Sequence, residues 1–181
     1  RSRDLLQQVS GADLSNAMHP FGHSREIEIG YAKVRASRIT YVGELGWELY
    51  VPSHHASDLH ARLMNAGADL GITPAGHYAI NSLRLEKGYR AYGAELSPDE
   101  SPLEAGLGFF VKLDKPDFIG KSVLVEQKAG SLKRKVVGIE LTEKAIPRAH
   151  YEVYSGETKI GYVTTGYLSI SAGKPVAMAL L

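Results

Sequence analysis

The chain has 181 residues, 44% of them hydrophobic and 23% charged, with a formal net charge of +1 and no cysteine. That length accommodates one medium or two small globular domains, and the near-neutral charge gives no footprint for nucleic acid or a membrane surface. The missing cysteines exclude disulfides, thiolate nucleophiles and cysteine-based zinc sites, and no apolar run approaches the ~18 residues needed to span a bilayer.

Residues 2–9 place Leu5, Leu6 and Val9 at helical spacing, with Ser2 as the expected cap. A turn and a loop around Pro20 and Gly22 follow, and 25–29 alternates with a period of two, which marks a strand. Residues 32–39 continue as a strand into Arg38-Ile39-Thr40-Tyr41-Val42-Gly43-Glu44-Leu45-Gly46-Trp47-Glu48-Leu49-Tyr50-Val51, which reads as two strands around a tight glycine-containing connection. A hairpin of that length sets Tyr41 opposite Glu48. A carboxylate accepts two parallel N–H bonds and suits a flat heterocycle with adjacent ring N–H and amino donors, such as a pterin. An ordinary sheet pair is the plainer reading of the same two residues.

Ser53 is the expected cap of a helix from His54, whose apolar stripe is Ala56, Leu59, Leu63 and Met64 and whose stop is Gly67. Pro74 opens a second helix over 75–87, closed by Gly88. Residues 88–102 are loop-rich, 107–113 reads as a buried strand carrying Phe109 and Phe110, and 121–128 as a short helix. From Lys135 the pattern is strands only, at 136–141, 151–154, 159–165 and 176–181, with a Ser155-Gly156-Glu157 turn. The fold class is α+β: a ferredoxin-like (partial) part over 1–130, then a small all-β Greek-key or barrel domain over 131–181. Neither terminus reads as a natural end. The N-terminus is no initiator or signal sequence, and the last apolar strand stops without a polar ending. A partly open barrel with an exposed edge then implies self-association.

Seven histidines invite a metal reading, but none has a carboxylate at a metal-site spacing, so surface or capping roles are expected and no metal site is assigned. Gly106-Leu107-Gly108 lacks the third glycine and the helix of a dinucleotide fingerprint. Arg84 and Glu86 sit beside apolar Leu83 and Leu85, and a buried structural ion pair is the favoured reading over ligand binding. Arg148, on a loop between strands, is either a solvated charge or a carboxylate holder in an interdomain cleft. No residue is assigned as catalytic.

Taken in order, Tyr41 to Pro52, Ser82 to Gly93, Ser101 to Leu107, Pro147 to His150, Ile160 to Gly166 and Val176 to Ala179 resemble the aminomethyltransferase family, the T-protein of the glycine cleavage system. Glu95 to Leu107 and Phe118-Ile119-Gly120-Lys121 are similar to the C-terminal folate domain of dimethylglycine and sarcosine dehydrogenases. The resemblance implies a tetrahydrofolate site between the α+β part and the barrel. Glu48 would take the pterin's donor edge, Tyr41 would line the pocket, Phe109 would stand where the T-protein has a stacking Trp, and Arg148 would lie near the folate mouth. Where the T-protein has an Arg-Asp pair before the Ser-Leu-Arg run, this chain has Ile80 and Asn81, a departure that favours the dehydrogenase branch. The resemblance further implies a methylated glycine as substrate, FAD in an upstream domain, a catalytic acid N-terminal to Arg1, and a cytoplasmic location, or the mitochondrial matrix in a eukaryote. The 181 residues alone are expected to bind folate poorly and to catalyse nothing, and the alternatives to the demethylation-linked enzyme are the T-protein itself and a non-catalytic regulatory module of the same fold.

Overall fold

A computed structural model describes residues 1–130 and 132–181. Ser131, where the expected second domain begins, lies outside the described residues. The chain divides into two compact units, residues 1–77 and 78–181.

In the first unit, helix α1 (Ser2–Val9) and helix α2 (Ala56–Ala66) accompany a three-stranded antiparallel sheet of β1 (Ser24–Ile29), β2 (Ala32–Ser37) and β3 (Glu48–Tyr50), in that order. Alternation decides what is buried. Ile27, Ile29, Ala32, Val34 and Ala36 face inward and close a core with Leu6, Leu14 and Leu59, while Trp47, Leu49, Val51 and Leu63 pack against its edge. The intervening Glu26, Glu28, Lys33, Arg35, Glu48 and Tyr50 are exposed.

Three local expectations change here. The Ser2 hydroxyl caps nothing and instead donates to Leu45 O (2.5 Å). Ser53–His55 form a 3-10 turn ahead of α2 with no side-chain cap. The Tyr41–Glu48 hairpin pairing does not form. Ser37 is the partner of Glu48, and residues 38–47 are a loop. The ladder ends where Arg38 pairs its backbone with the preceding loop (Arg38 N to His23 O 2.9 Å, Gly22 N to Arg38 O 2.8 Å). The Thr40 hydroxyl then accepts the N–H groups of Val42 and Glu44, and Gly43 takes a positive φ of 73°. This local side-chain bonding competes with strand formation and overrides the β-formers around it.

In the second unit, α3 (His77–Glu86) ends in a Schellman motif: Tyr89 N donates to Arg84 O, Gly88 N to Leu85 O, and Gly88 has φ 69°. After α4 (Lys121–Ala129) come β4 (Val136–Glu140), β5 (Glu152–Ser155), β6 (Thr158–Leu168) and β7 (Pro175–Leu180). They form an antiparallel sheet in the order β4-β7-β6-β5, which is Greek-key order. The apolar last strand is thereby a central one, flanked by β4 and β6, and its residues 177–180 are buried. The α+β reading holds. The strand expected over 107–113 does not form: Gly108–Phe110 is a 3-10 turn, and Phe109 and Phe110 are 65% and 71% exposed. Leu107 N bonds back to Pro102 O and Gly106 has φ 70°, so the chain is turning where a strand would have to run straight.

Arg84 bears out the structural ion pair. Its guanidinium is 1% exposed, and Nη1 donates to Glu95 Oε2 at 2.9 Å. Nε donates to Asn81 Oδ1 (2.8 Å), Nη1 to Tyr89 O (2.9 Å) and Nη2 to the Thr165 hydroxyl (3.0 Å). Glu95 accepts in turn from Ala91 N (3.0 Å) and from the hydroxyls of Thr164 (2.6 Å) and Thr165 (2.5 Å). Adjacent residues of a regular strand point to opposite faces, yet both hydroxyls reach Glu95 Oε1. The β6–β7 register shifts between Val163 and Thr165, and this bulge turns the two side chains onto one acceptor. Glu86 goes elsewhere, accepting from the Ser169 hydroxyl (2.7 Å) and Ser171 N (3.2 Å).

Candidate functional site

Strand β3 carries the first candidate residue. Period-two alternation sends Trp47, Leu49 and Val51 to the core and leaves Glu48 and Tyr50 on the solvent side. The Tyr50 hydroxyl donates to Glu48 Oε2, and the Arg35 guanidinium lies 4.9 Å from the Tyr50 ring centroid. The bond to the Glu48 carboxylate holds the Tyr50 phenol above its ordinary value of 10, so it stays a protonated donor at neutral pH. Glu48 is therefore an accessible carboxylate with a neighbouring phenol on one of its two oxygens. An ionised carboxylate offers about four lone-pair sites, leaving room for a donor pair from a ligand.

Tyr41 stands on the 38–47 loop that leads directly into β3, and its ring is 41% exposed. The loop is anchored from below by Trp47, whose indole N–H reaches Nδ1 of His19 at 3.4 Å. The surface role expected of the histidines fails at His19, which is fully buried. Loss of solvation on burial, assisted by the fields of Arg25, Arg38 and His23 and opposed by the bond to His23 O, pushes its imidazole below the ordinary value of 6.5. Only the inward phase of Trp47 was readable in the sequence, because nothing local marks a loop histidine as its partner. No group of three or more metal-ligating side chains occurs among the described residues.

In the second unit, the Phe109 and Phe110 rings lie 4.2 Å apart between centroids on their 3-10 turn. Arg148 is exposed on the loop between β4 and β5. The backbone around it is pinned to β6, with His150 N bonded to Val163 O (2.7 Å), Tyr151 N to Arg148 O (3.2 Å), and Pro147 buried. The structure thus presents a charged side chain from a fixed backbone. Phe109 and Arg148 stand on separate segments of their unit, as Tyr41 and Glu48 do of theirs.

The chain thus pairs a small mixed α+β unit bearing a solvent-facing carboxylate with a unit whose Greek-key sheet is tied to the preceding segment by a buried Arg–Glu pair. The profile of the GCVT N-terminal domain matches residues 1–115, and that of the glycine cleavage T-protein C-terminal barrel domain matches residues 134–181. The chain belongs to the glycine cleavage T-protein family. It is 45% identical over 181 residues to the aminomethyltransferase of Caldanaerobacter subterraneus subsp. tengcongensis, covering 100% of this chain and 48% of that protein. It is 43% identical over 180 residues to the mitochondrial dimethylglycine dehydrogenase of Rattus norvegicus, covering 98% of this chain and 21% of that protein. The crystal structure of glycine cleavage system aminomethyltransferase T from Bartonella henselae superposes with a TM-score of 0.84 at 28% identity, over 98% of this chain and 48% of that one. The chain spans about half the length of the aminomethyltransferases it matches, and about a fifth of the dehydrogenase. No helix among the described residues is long and apolar enough to cross a membrane.

Proposed function

We propose that this chain carries the tetrahydrofolate-binding residues of a one-carbon transfer enzyme that takes up the unit released by oxidative demethylation of dimethylglycine or sarcosine. The observation that carries the reading is the Glu48 carboxylate, which is exposed, phenol-flanked and preceded by the loop bearing Tyr41. In this role Glu48 accepts the ring N–H and amino donors of the pterin, and Tyr41 supplies an aromatic wall. Phe109 offers a stacking face, and Arg148 a cation for a glutamyl carboxylate. The pterin edge fits Glu48, since a carboxylate is acceptor-only and the pterin presents donors. FAD, which the dehydrogenase reading brings, does not fit these residues. Gly106-Leu107-Gly108 runs into a three-residue 3-10 turn, not from a strand into a helix N-terminus. The domain division that accompanies this reading is 1–130 for the folate-binding α+β part and 131–181 for the barrel.

The second reading is the aminomethyltransferase of the glycine cleavage system, favoured by the bacterial relatives of that name at 42–45% identity. Against it, Ile80 and Asn81 occupy the positions where the resemblance expects an Arg-Asp pair, and Asn81 is engaged with Arg84 and Tyr167. Calorimetric titration of a reduced folate into the full-length parent protein that contains this chain, and into its Glu48→Gln variant, tests the shared core of both. Gln replaces one acceptor with a donor facing the pterin's own, and the expected loss is about 2–4 kcal/mol, roughly 30- to 1,000-fold in Kd. Equal affinity in the two proteins, or no binding to either, would refute the folate reading.

A further inference from the structure

The two ends of the 38–47 loop are fastened to one buried residue, His19. His19, fully buried, lies between the loop that precedes β1 and the loop that precedes β3. Its Nε2 stands 3.1 Å from His23 O, and its Nδ1 receives the Trp47 indole N–H. An acceptor at Nδ1 requires the proton to sit on Nε2, so the imidazole is neutral and uses both nitrogens. Its carbonyl accepts from Arg38 Nη1 at 2.7 Å, so both ends of the residue hold the start and the finish of the 38–47 loop. The rings of His19 and Trp47 meet edge-on, with centroids 6.0 Å apart at 66°.

The charged groups that bear on the His19–Trp47 pair are cationic. Arg38 lies 5.9 Å from the Trp47 ring centroid, and Arg3 of α1 lies 6.0 Å from it. Arg25 of β1 is tied to Asp13 O and Met18 O, and His23 is the sequence neighbour whose carbonyl His19 engages. The nearby acid, Asp13, is held by Ser15 and by the fields of Arg25 and Arg3. No carboxylate bonds to the imidazole. A second proton on the ring would convert Nδ1 from acceptor to donor facing the indole N–H, in the field of Arg25 and Arg38.

We propose that His19 is a positioning residue for the 38–47 loop: as the neutral imidazole it anchors Trp47, and through it Tyr41 and the start of β3 at Glu48, and protonation at Nδ1 releases them. The consequence for ligand binding rests on the folate reading above; the anchor itself does not. Because Trp47 is the chain's sole tryptophan, tryptophan emission reports the surroundings of this one ring, and the His19 variants isolate the imidazole's share of it.

The experiment follows Trp47 fluorescence between pH 8 and 5 in the wild type, His19→Asn, His19→Phe and His23→Gln. Asn keeps an acceptor near Nδ1 without a titratable ring, and Phe keeps the ring without an acceptor. A transition below pH 6.5 in the wild type and in His23→Gln, absent from both His19 variants, is the expected result. A transition that persists in a His19 variant, or a flat wild type, overturns the proposal. Should the variants fail to fold, NMR of the wild type decides it: the His19 ring and the Trp47 indole N–H must titrate with one midpoint, and two different midpoints overturn the anchor. At pH 7.5, His19→Phe should bind a reduced folate about 2- to 10-fold more weakly, with His19→Asn restoring part of the loss. Undiminished affinity in His19→Phe overturns the positioning role. If no protein in the series binds folate, the functional reading falls while the Trp47 titration still decides the anchor.

Discussion

Truncating Glu95 to Ala tests the second unit at its most charged buried point. The substitution removes four accepted bonds at once, from Arg84 Nη1, Ala91 N and the hydroxyls of Thr164 and Thr165. It leaves a guanidinium that is 1% exposed with no carboxylate beside it. Breaking a buried pair by deleting one partner costs about 3–5 kcal/mol, because the surviving charge is neither solvated nor neutralised. For a chain of this length that corresponds to roughly 6–20 °C in Tm. The assay is urea and thermal denaturation followed by far-UV circular dichroism, with Arg84→Met/Glu95→Leu as the companion variant. Apolar replacement of both partners often restores stability, but here the Thr165 hydroxyl and Ala91 N–H would still lose their acceptor, while the Thr164 hydroxyl keeps Met178 O. The double variant should therefore remain about 1–3 kcal/mol below wild type. A Glu95→Ala loss under about 1 kcal/mol would refute the claim that the network is closed to water.

Two further outcomes concern the same unit. Gly161 of β6 has Leu180 O where a Cβ would stand, 2.0 Å away, and the obstruction is backbone, so Gly161→Ala should cost about 1–3 kcal/mol in urea denaturation. Glu104 is held below its ordinary value of 4.5, chiefly by the Ser101 N–H and next by Arg134. Its folded form therefore binds a proton less readily than the unfolded chain, and the stability it contributes is present above pH 4.5 and lost as the pH falls below it. Urea midpoints measured from pH 6 to 3 should decline less steeply in Glu104→Gln, and an unchanged slope would refute this assignment.

The helices and strands with a clean period were legible without a structure. Alternation in 25–29 marked β1, the strand read over 32–39 overran the observed end of β2 at Ser37 by two residues, and turn chemistry at Ser155-Gly156-Glu157 marked the β5–β6 hairpin. The 107–113 stretch misled because apolar content without a sheet partner does not make a strand; Gly106 and Gly108 let the chain turn there instead. The same holds for Arg38 to Trp47, where β-formers yield to the Thr40 side chain. Among the candidate site residues, the outward phase of Glu48 was readable from Trp47, Leu49 and Val51 pointing the other way. The bond from Tyr50 was not read, although the two lie two positions apart on one face.

What the amino-acid sequence by itself determined was local: periodicities, turn residues, the family-specific segments and the outward set of β3. Tertiary structure alone decided which polar groups are buried and with whom. His19 meets Trp47 across 28 positions, and Glu95 meets Thr164 and Thr165 across 69 and 70. A buried charge or imidazole is tolerated only where distant backbone delivers its partners within hydrogen-bond reach. That condition depends on how elements pack and on a bulge in one strand, neither of which is written in any local run of residues.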